Sequence, residues 1–305
     1  MQVTIIPAST NTGAATIRSL LSKPVQIRGV YRDLSKVPAT FLAQPNFSAI
    51  EGDISKKGSF SLKESDAILA IMPPVFDGQD PVQQAERASL NIKTAIEMAG
   101  DIKKVVLLSS VGAEFSEGVG EIKTNNRSEE VFRGTEVEHL VFVRCSYFME
   151  NWTINLDPLR GPDPYFFSTI TPTDYEIPMV SISDVGATLA EQLLDSKPPP
   201  EKPYIVELHG PRRYSPLDAR AAFTRALGKK VELQAIERDH LHQFYAQCFP
   251  PSIVDYWVEM AESILPEGKL GTKYLQQARA PVIYGHTDLA TVIEENCREF
   301  SESAK

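Results

Sequence analysis

The chain has 305 residues, with 31 Lys and Arg against 40 Asp and Glu, a formal charge of −9; that balance excludes the basic footprint of a nucleic-acid binder. Hydrophobic residues make up 42% and charged residues 23%, which excludes predominant disorder. No run of ~18 apolar residues occurs, so no membrane span is expected.

Val3-Thr4-Ile5-Ile6 reads as a buried strand, and Thr12 to Leu21 as a helix with Ile17, Leu20 and Leu21 on one face. Strands follow at Val25–Tyr31, Phe47–Ile50, Ala67–Met72, Val105–Leu108 and Leu140–Val143, with a helix over Ala85–Ala99. Near-continuous apolar strands alternating with helices imply a parallel sheet covered on both faces. Beyond Tyr147 aromatics and prolines thicken, and Pro198-Pro199-Pro200 reads as an exposed connection. Ser183–Leu194 reads as a helix with Asp184 in its first turn, Tyr204–Leu208 as a strand, and Pro216–Leu227 as a helix ended by Gly228. The expected fold is α/β: a Rossmann-type doubly wound parallel sheet with a smaller C-terminal α+β substrate lobe. Residues 1–150 form the dinucleotide-binding domain, its sheet completed by about 178–210, and 151–305 the lobe.

The turn after the first strand is the place of a phosphate loop. The usual Gly-x-x-Gly-x-x-Gly is replaced by Pro7-Ala8-Ser9-Thr10-Asn11-Thr12-Gly13, so only the last glycine is kept. Pro7 fixes its φ and removes a donor, and Thr10 places a side chain where a pyrophosphate sits. Ser9, Thr10, Asn11 and Thr12 nevertheless offer donors at a helix N-terminus, itself an anion site. The alternative is an N-capping loop that binds nothing. After the second strand, Arg32 and Lys36 suit a ribose 2′-phosphate, whereas Asp33 suits a 2′-hydroxyl.

These features resemble the NmrA-like family, an atypical, here fungal-type, branch of the short-chain dehydrogenase/reductases. The resemblance is carried by Thr10–Gly13, Arg32, Gly52-Asp53, Leu107–Ala113, Val180–Gly186 and, most specifically, the run Arg144–Asn151 with its Phe148-Met149-Glu150-Asn151. Pro73-Pro74, Asp77–Pro81 and Gly118–Lys123 look like the fungal members. The resemblance implies an NADP cofactor, with NAD the lesser fit. It puts Asp53 near the adenine, Met72, Pro73 and Pro74 along the ribose and diphosphate, and Ser109 and Ser110 beside the nicotinamide.

The Tyr-x-x-x-Lys proton relay of ordinary members is absent: none of the 10 tyrosines has lysine four residues on. Candidate substitutes are Lys123 and Asn126 as proton donors, Ser109 and Ser110 to orient a carbonyl, and Tyr147 for its hydroxyl. Structural alternatives stand beside each: a surface lysine, a strand-end cap, a core tyrosine. Cys145, Cys248 and Cys297 form no cluster, and no set of ligands joins His240 and His242, so reduced thiols and no metal are expected. No Gly-x-Ser-x-Gly elbow suggests a hydrolase.

The favoured expectation is an NADP(H)-dependent oxidoreductase acting on a small aromatic or polyketide-like molecule in fungal secondary metabolism. It is expected to be cytoplasmic, since the start lacks the features of a signal peptide. The expected partner is a small-molecule substrate, with a monomer or homodimer, no nucleic acid, no membrane, and room for a protein partner. Two other readings are a cofactor-sensing binding protein without turnover, and a non-redox isomerase or cyclase on the same scaffold.

Overall fold

A computed structural model describes residues 1–302. The chain begins with β1 (Gln2–Ile6), α1 (Asn11–Leu21), β2 (Gln26–Tyr31), α2 (Ala39–Leu42), β3 (Phe47–Glu51), β4 (Ala67–Ile71), α3 (Pro81–Ala99), β5 (Lys104–Ser110), α4 (Lys123–Arg133) and β6 (His139–Cys145). It continues with β7 (Tyr147–Phe148), β8 (Tyr165–Ser168), β9 (Ile177–Val180), α5 (Ile182–Leu194), β10 (Tyr204–His209), β11 (Arg213–Tyr214) and α6 (Pro216–Leu227). Last come β12 (Glu232–Ala235), α7 (Leu241–Cys248), α8 (Pro251–Ile264), β13 (Val282–Tyr284) and α9 (Leu289–Glu302).

Eight strands form one sheet in the order β13-β10-β6-β5-β4-β1-β2-β3. β1 pairs in parallel with β2 on one side and with β4 on the other. The chain therefore winds outward to β3 and returns across β1 to β4, a doubly wound Rossmann-type sheet, and the carboxyl ends of β1 and β4 flank the switch point where such folds bind ligands.

The described chain divides into two compact units: 1–116 with 121–144 and 185–206, and 117–120 with 145–184 and 207–302. In the first, Ile68, Ile92, Val105, Leu107, Phe132 and Phe142 are among the apolar side chains that form a core against the sheet. In the second, Trp152 meets Phe166 edge-on at 5.9 Å and Phe166 meets Phe223 at 4.9 Å, so these aromatics fill a core rather than line a cleft. Phe249 and Trp257 stack at 4.6 Å in a separate cluster beneath α7 and α8.

Local chemistry sets the helix ends. α3 starts at Pro81, four residues before the apolar periodicity, because Asp80 caps it by accepting from Gln83 N–H at 2.9 Å. α6 carries a capping box of Ser215 and Asp218 and ends at Gly228, whose φ is 63°. The Ser183-Asp184-Val185-Gly186 run has a structural explanation. Asp184 accepts from the backbone N–H groups of His286 and Thr287 at 3.0 and 2.9 Å, pinning that loop. A Cβ on Gly186 would stand 2.5 Å from the Ala15 carbonyl carbon, so α5 and α1 approach backbone to side. Gly186→Ala should cost about 1–3 kcal/mol through overpacking; an unchanged denaturation midpoint would show that the helices yield freely.

Candidate active site

The βα turn holds its shape through Thr10. Its hydroxyl accepts from Gly13 N–H at 3.0 Å and donates to Pro7 O at 3.4 Å, making Thr10 the N-cap of α1. The threonine thus turns inward on its own helix, and its side chain does not extend as the substitution for glycine suggests. Gly13 is required at this point: a Cβ there would lie 2.9 Å from Thr10 Oγ1 and 3.1 Å from each of the Ala8 and Pro7 carbonyl oxygens. The N–H groups of Asn11 and Thr12 have no acceptor among the described residues. They remain as donors at the positive end of α1, with the exposed Ser9 and Asn11 side chains beside them.

At the end of β2, Arg32 is exposed and makes no hydrogen bond or ion pair among the described residues. Asp33 is otherwise engaged: its carboxylate accepts from Ser35 N–H at 2.9 Å and caps the short turn 34–36 that carries the exposed Lys36. The Ser35 hydroxyl, and after it this backbone N–H, hold Asp33 below the usual carboxylate range. Asp53, beyond β3, closes another turn by accepting from Ser55 N–H and Oγ at 2.9 and 2.7 Å. Burial works against its ionisation, but the Ser55 bonds, Lys56 and Arg32 hold its pKa low. Met72 and Pro73 are half-buried and Pro74 is exposed, directly after β4.

The end of β5 is built on a buried ion pair. Arg144 in β6 grips Glu129 of α4 in bidentate fashion, Nε to Oε1 at 2.8 Å and Nη2 to Oε2 at 2.7 Å, and donates to Glu114 at 2.7 Å through Nη1. Ser109 donates to Glu129 Oε1 at 2.7 Å. This corrects the expected role of Ser109: its proton is directed into the interior, where it braces α4. Ser110 is half-buried and donates to the neighbouring Val111 carbonyl at 3.0 Å. Asn126 donates from Nδ2 to Ala113 O at 2.8 Å, fastening α4 to the loop after β5. Lys123 opens α4, half-buried. All these groups belong to the first unit; Ser109 and Ser110 stand at the carboxyl end of β5 and Lys123 at the amino end of α4.

Tyr147 belongs to the second unit. Its ring lies 6.1 Å from that of Trp152. Burial, then the Tyr245 phenol, pushes its pKa above the usual tyrosine range, against a hydrogen bond with Asn151. Within the Phe148–Asn151 motif, Glu150 accepts from Ile182 N–H at 2.8 Å at the start of α5, and Met149 is buried in the core. A cavity of about 90 Å³ lies between Leu159, Arg160, Leu227, Cys297, Phe300 and Ser301, none of them an expected site residue.

Sequence reasoning overlooked two features. The first is the Arg144–Glu129 pair, signalled by a lone arginine in an apolar strand. The second is Glu121, which reads as an ordinary first-turn helix acid. It lies in the short turn Gly120–Ile122 ahead of α4 and accepts from Thr124 Oγ1 at 3.2 Å. Burial pushes its pKa up to about 7, the threonine bond drawing it partly back.

The free helix-terminal amides and the exposed Arg32 guanidinium fit a dinucleotide carrying a 2′-phosphate. The comparisons agree in fold. A model of the NmrA-like family matches residues 1–283. The NADPH-dependent quinone oxidoreductase of Escherichia coli, solved with NADPH, is similar with a TM-score of 0.70 at 18% identity, over 97% of this chain and 99% of that one. The triphenylmethane reductase of Citrobacter sp., solved with NADP(H), gives a TM-score of 0.70 at 16% identity over 97% and 100%. The negative transcriptional regulator NmrA gives 0.67 at 16% identity over 99% and 97%. No curated protein sequence matches the chain. Among the described residues no helix is long and apolar enough to cross a membrane.

Proposed function

This chain belongs to the NmrA-like family, and on that premise we propose that it is an NADP(H)-dependent oxidoreductase. Its substrate is a small aromatic or polyketide-like molecule bearing a carbonyl, enone, quinone or imine, in a cytoplasmic secondary metabolism of fungal type. The observation that carries the reading is the pairing of vacant N–H donors at Asn11 and Thr12 with the exposed Arg32, which makes no hydrogen bond among the described residues. The amides, with Ser9 and the side chains of Asn11 and Thr12, hold the diphosphate; Arg32 and Lys36 hold the 2′-phosphate; Asp53 borders the adenine, and Met72, Pro73 and Pro74 the ribose. When bound, the dinucleotide supplies or accepts a hydride. Ser110, Lys123 and Asn126 are the polar groups of the first unit proposed to position the substrate, while Ser109 steadies the strand end. Asp33 has Oδ1 engaged by Ser35 N–H, and Arg32 and Lys36 leave this turn with a net positive charge that suits a phosphate.

Calorimetry with NADPH and NADH tests this. Arg32→Ala should weaken NADPH by about 10–100-fold, the loss of charge-assisted hydrogen bonds of ~1.5–3 kcal/mol, and leave NADH nearly unchanged. Equal weakening of both cofactors, or no binding of either to the wild type, sinks the assignment. A second reading, a cofactor-sensing protein without turnover, is favoured by the absent Tyr-x-x-x-Lys pair. It fails if the purified chain oxidises NADPH in the presence of quinones or enones.

A further inference from the structure

The reductase reading leaves the protonation step without an obvious acid, and this inference rests on that reading. In a βα unit the amino end of the helix follows the carboxyl end of its strand, so the turn Gly120–Ile122 and the start of α4 lie at the edge of the sheet where ligands bind. The helix that follows the turn is held in place. Asn126 ties α4 to Ala113 O at 2.8 Å, and Glu129, three residues further along, ties it to Arg144 and Ser109. Glu121 is half-buried in that turn. Only Oε1 is engaged, by the Thr124 hydroxyl at 3.2 Å; Oε2 has no partner among the described residues.

Four other carboxyls of the first unit are already engaged. Asp53 is clamped by Ser55, Asp33 by Ser35, and Glu129 and Glu114 by Arg144. The charged groups that α4 meets are likewise matched: Arg127 pairs with Glu86 of α3 and with Glu130, and Arg133 with Glu129. Lys123 stands two residues on, and Gly120 donates its N–H to Glu259 at 3.1 Å. A helix amino terminus ordinarily favours the ionised carboxylate; here desolvation outweighs it, and the acid form persists to about pH 7.

We propose that Glu121 is the catalytic acid, its Oε2 giving a proton to the substrate atom that becomes electron-rich as hydride arrives at the adjoining carbon. The O–H bond of the carboxylic acid breaks and an O–H or N–H bond forms on the substrate. The two electrons come with the hydride from the reduced dinucleotide, and the Glu121 carboxylate regains its proton from water. In the reverse direction the same carboxylate is the base.

The test has two readouts. In stopped-flow oxidation of NADPH with a quinone and enone panel, the wild-type transfer rate is full below about pH 7 and falls tenfold per unit above it. Glu121→Gln should slow transfer by about 100-fold and remove the break, and Glu121→Asp should restore the break with part of the rate. Independently of turnover, carbon-13 NMR of glutamate-labelled, cofactor-free protein should show one carboxyl titrating near 7, absent from E121Q. E121Q should melt no lower than the wild type at pH 8, because a desolvated charge has been removed. An E121Q rate and pH profile like the wild type's, or a Glu121 carbon titrating in the ordinary glutamate range, overturns the proposal. A wild type that binds NADPH but passes hydride to no acceptor overturns the reductase reading itself, and the acid role with it.

Discussion

Arg144→Leu lowers the free energy of unfolding by about 3–5 kcal/mol, seen as a lower urea midpoint with an unchanged slope. Arg144 is 5% exposed and Glu129 2% exposed, so neither charge has water to fall back on. With the guanidinium gone, Glu129 keeps the Ser109 hydroxyl at 2.7 Å and the longer Arg133 contact at 3.5 Å, which cannot compensate a buried carboxylate. The alternative for the protein is to protonate Glu129, which should make the variant's stability rise as the pH falls, opposite to ordinary acid denaturation. The double variant Arg144→Leu with Glu129→Leu should recover much of the loss, because two apolar side chains leave no orphaned charge. A single-variant loss below about 0.5 kcal/mol would place it with ordinary surface substitutions and show that the pair is not a structural element.

That pair also explains how much of the molecule could be read from its residues. The sheet was legible because its strands are buried on both faces and therefore written as unbroken apolar runs such as Ala67–Ile71. Helices with an apolar stripe or a strong cap, such as α1 and α6, were legible for the same reason. α4 was not, since the face it buries is polar: Thr124, Ser128 and Glu129 lie inside with Phe132. A helix that satisfies its buried face with Arg144 and Ser109 carries no hydrophobic period. The short strands β8, β9 and β12 depend on partners in β12, β7 and β8, information no local pattern contains. Around the expected site, Gly13 and Arg32 were readable from position, but the inward turn of Thr10 and the Ser35 clamp on Asp33 are rotamer outcomes. Glu121 escaped because an acid at the start of a helix is ordinary; what distinguishes it is lost water.

Gly13→Val weakens NADPH binding by about 100-fold, ~2.7 kcal/mol, with a further ~1–3 kcal/mol lost from stability through overpacking. The first added carbon already stands 2.9 Å from Thr10 Oγ1 and 3.1 Å from two loop carbonyl oxygens. The branched methyls have nowhere to go unless residues 7–10 move away. Movement breaks the Thr10–Gly13 cap and swings the Asn11 and Thr12 N–H groups off their common direction. Thr10→Ala is the discriminating companion. It removes the cap at a cost of ~1 kcal/mol but adds no bulk and releases the Gly13 N–H, so its NADPH affinity should stay within tenfold of the wild type. If the two variants bind alike, capping rather than space governs the loop. If Gly13→Val binds NADPH as the wild type does, the diphosphate rests elsewhere, and Arg32 would then be an unpaired surface arginine with no cofactor to hold.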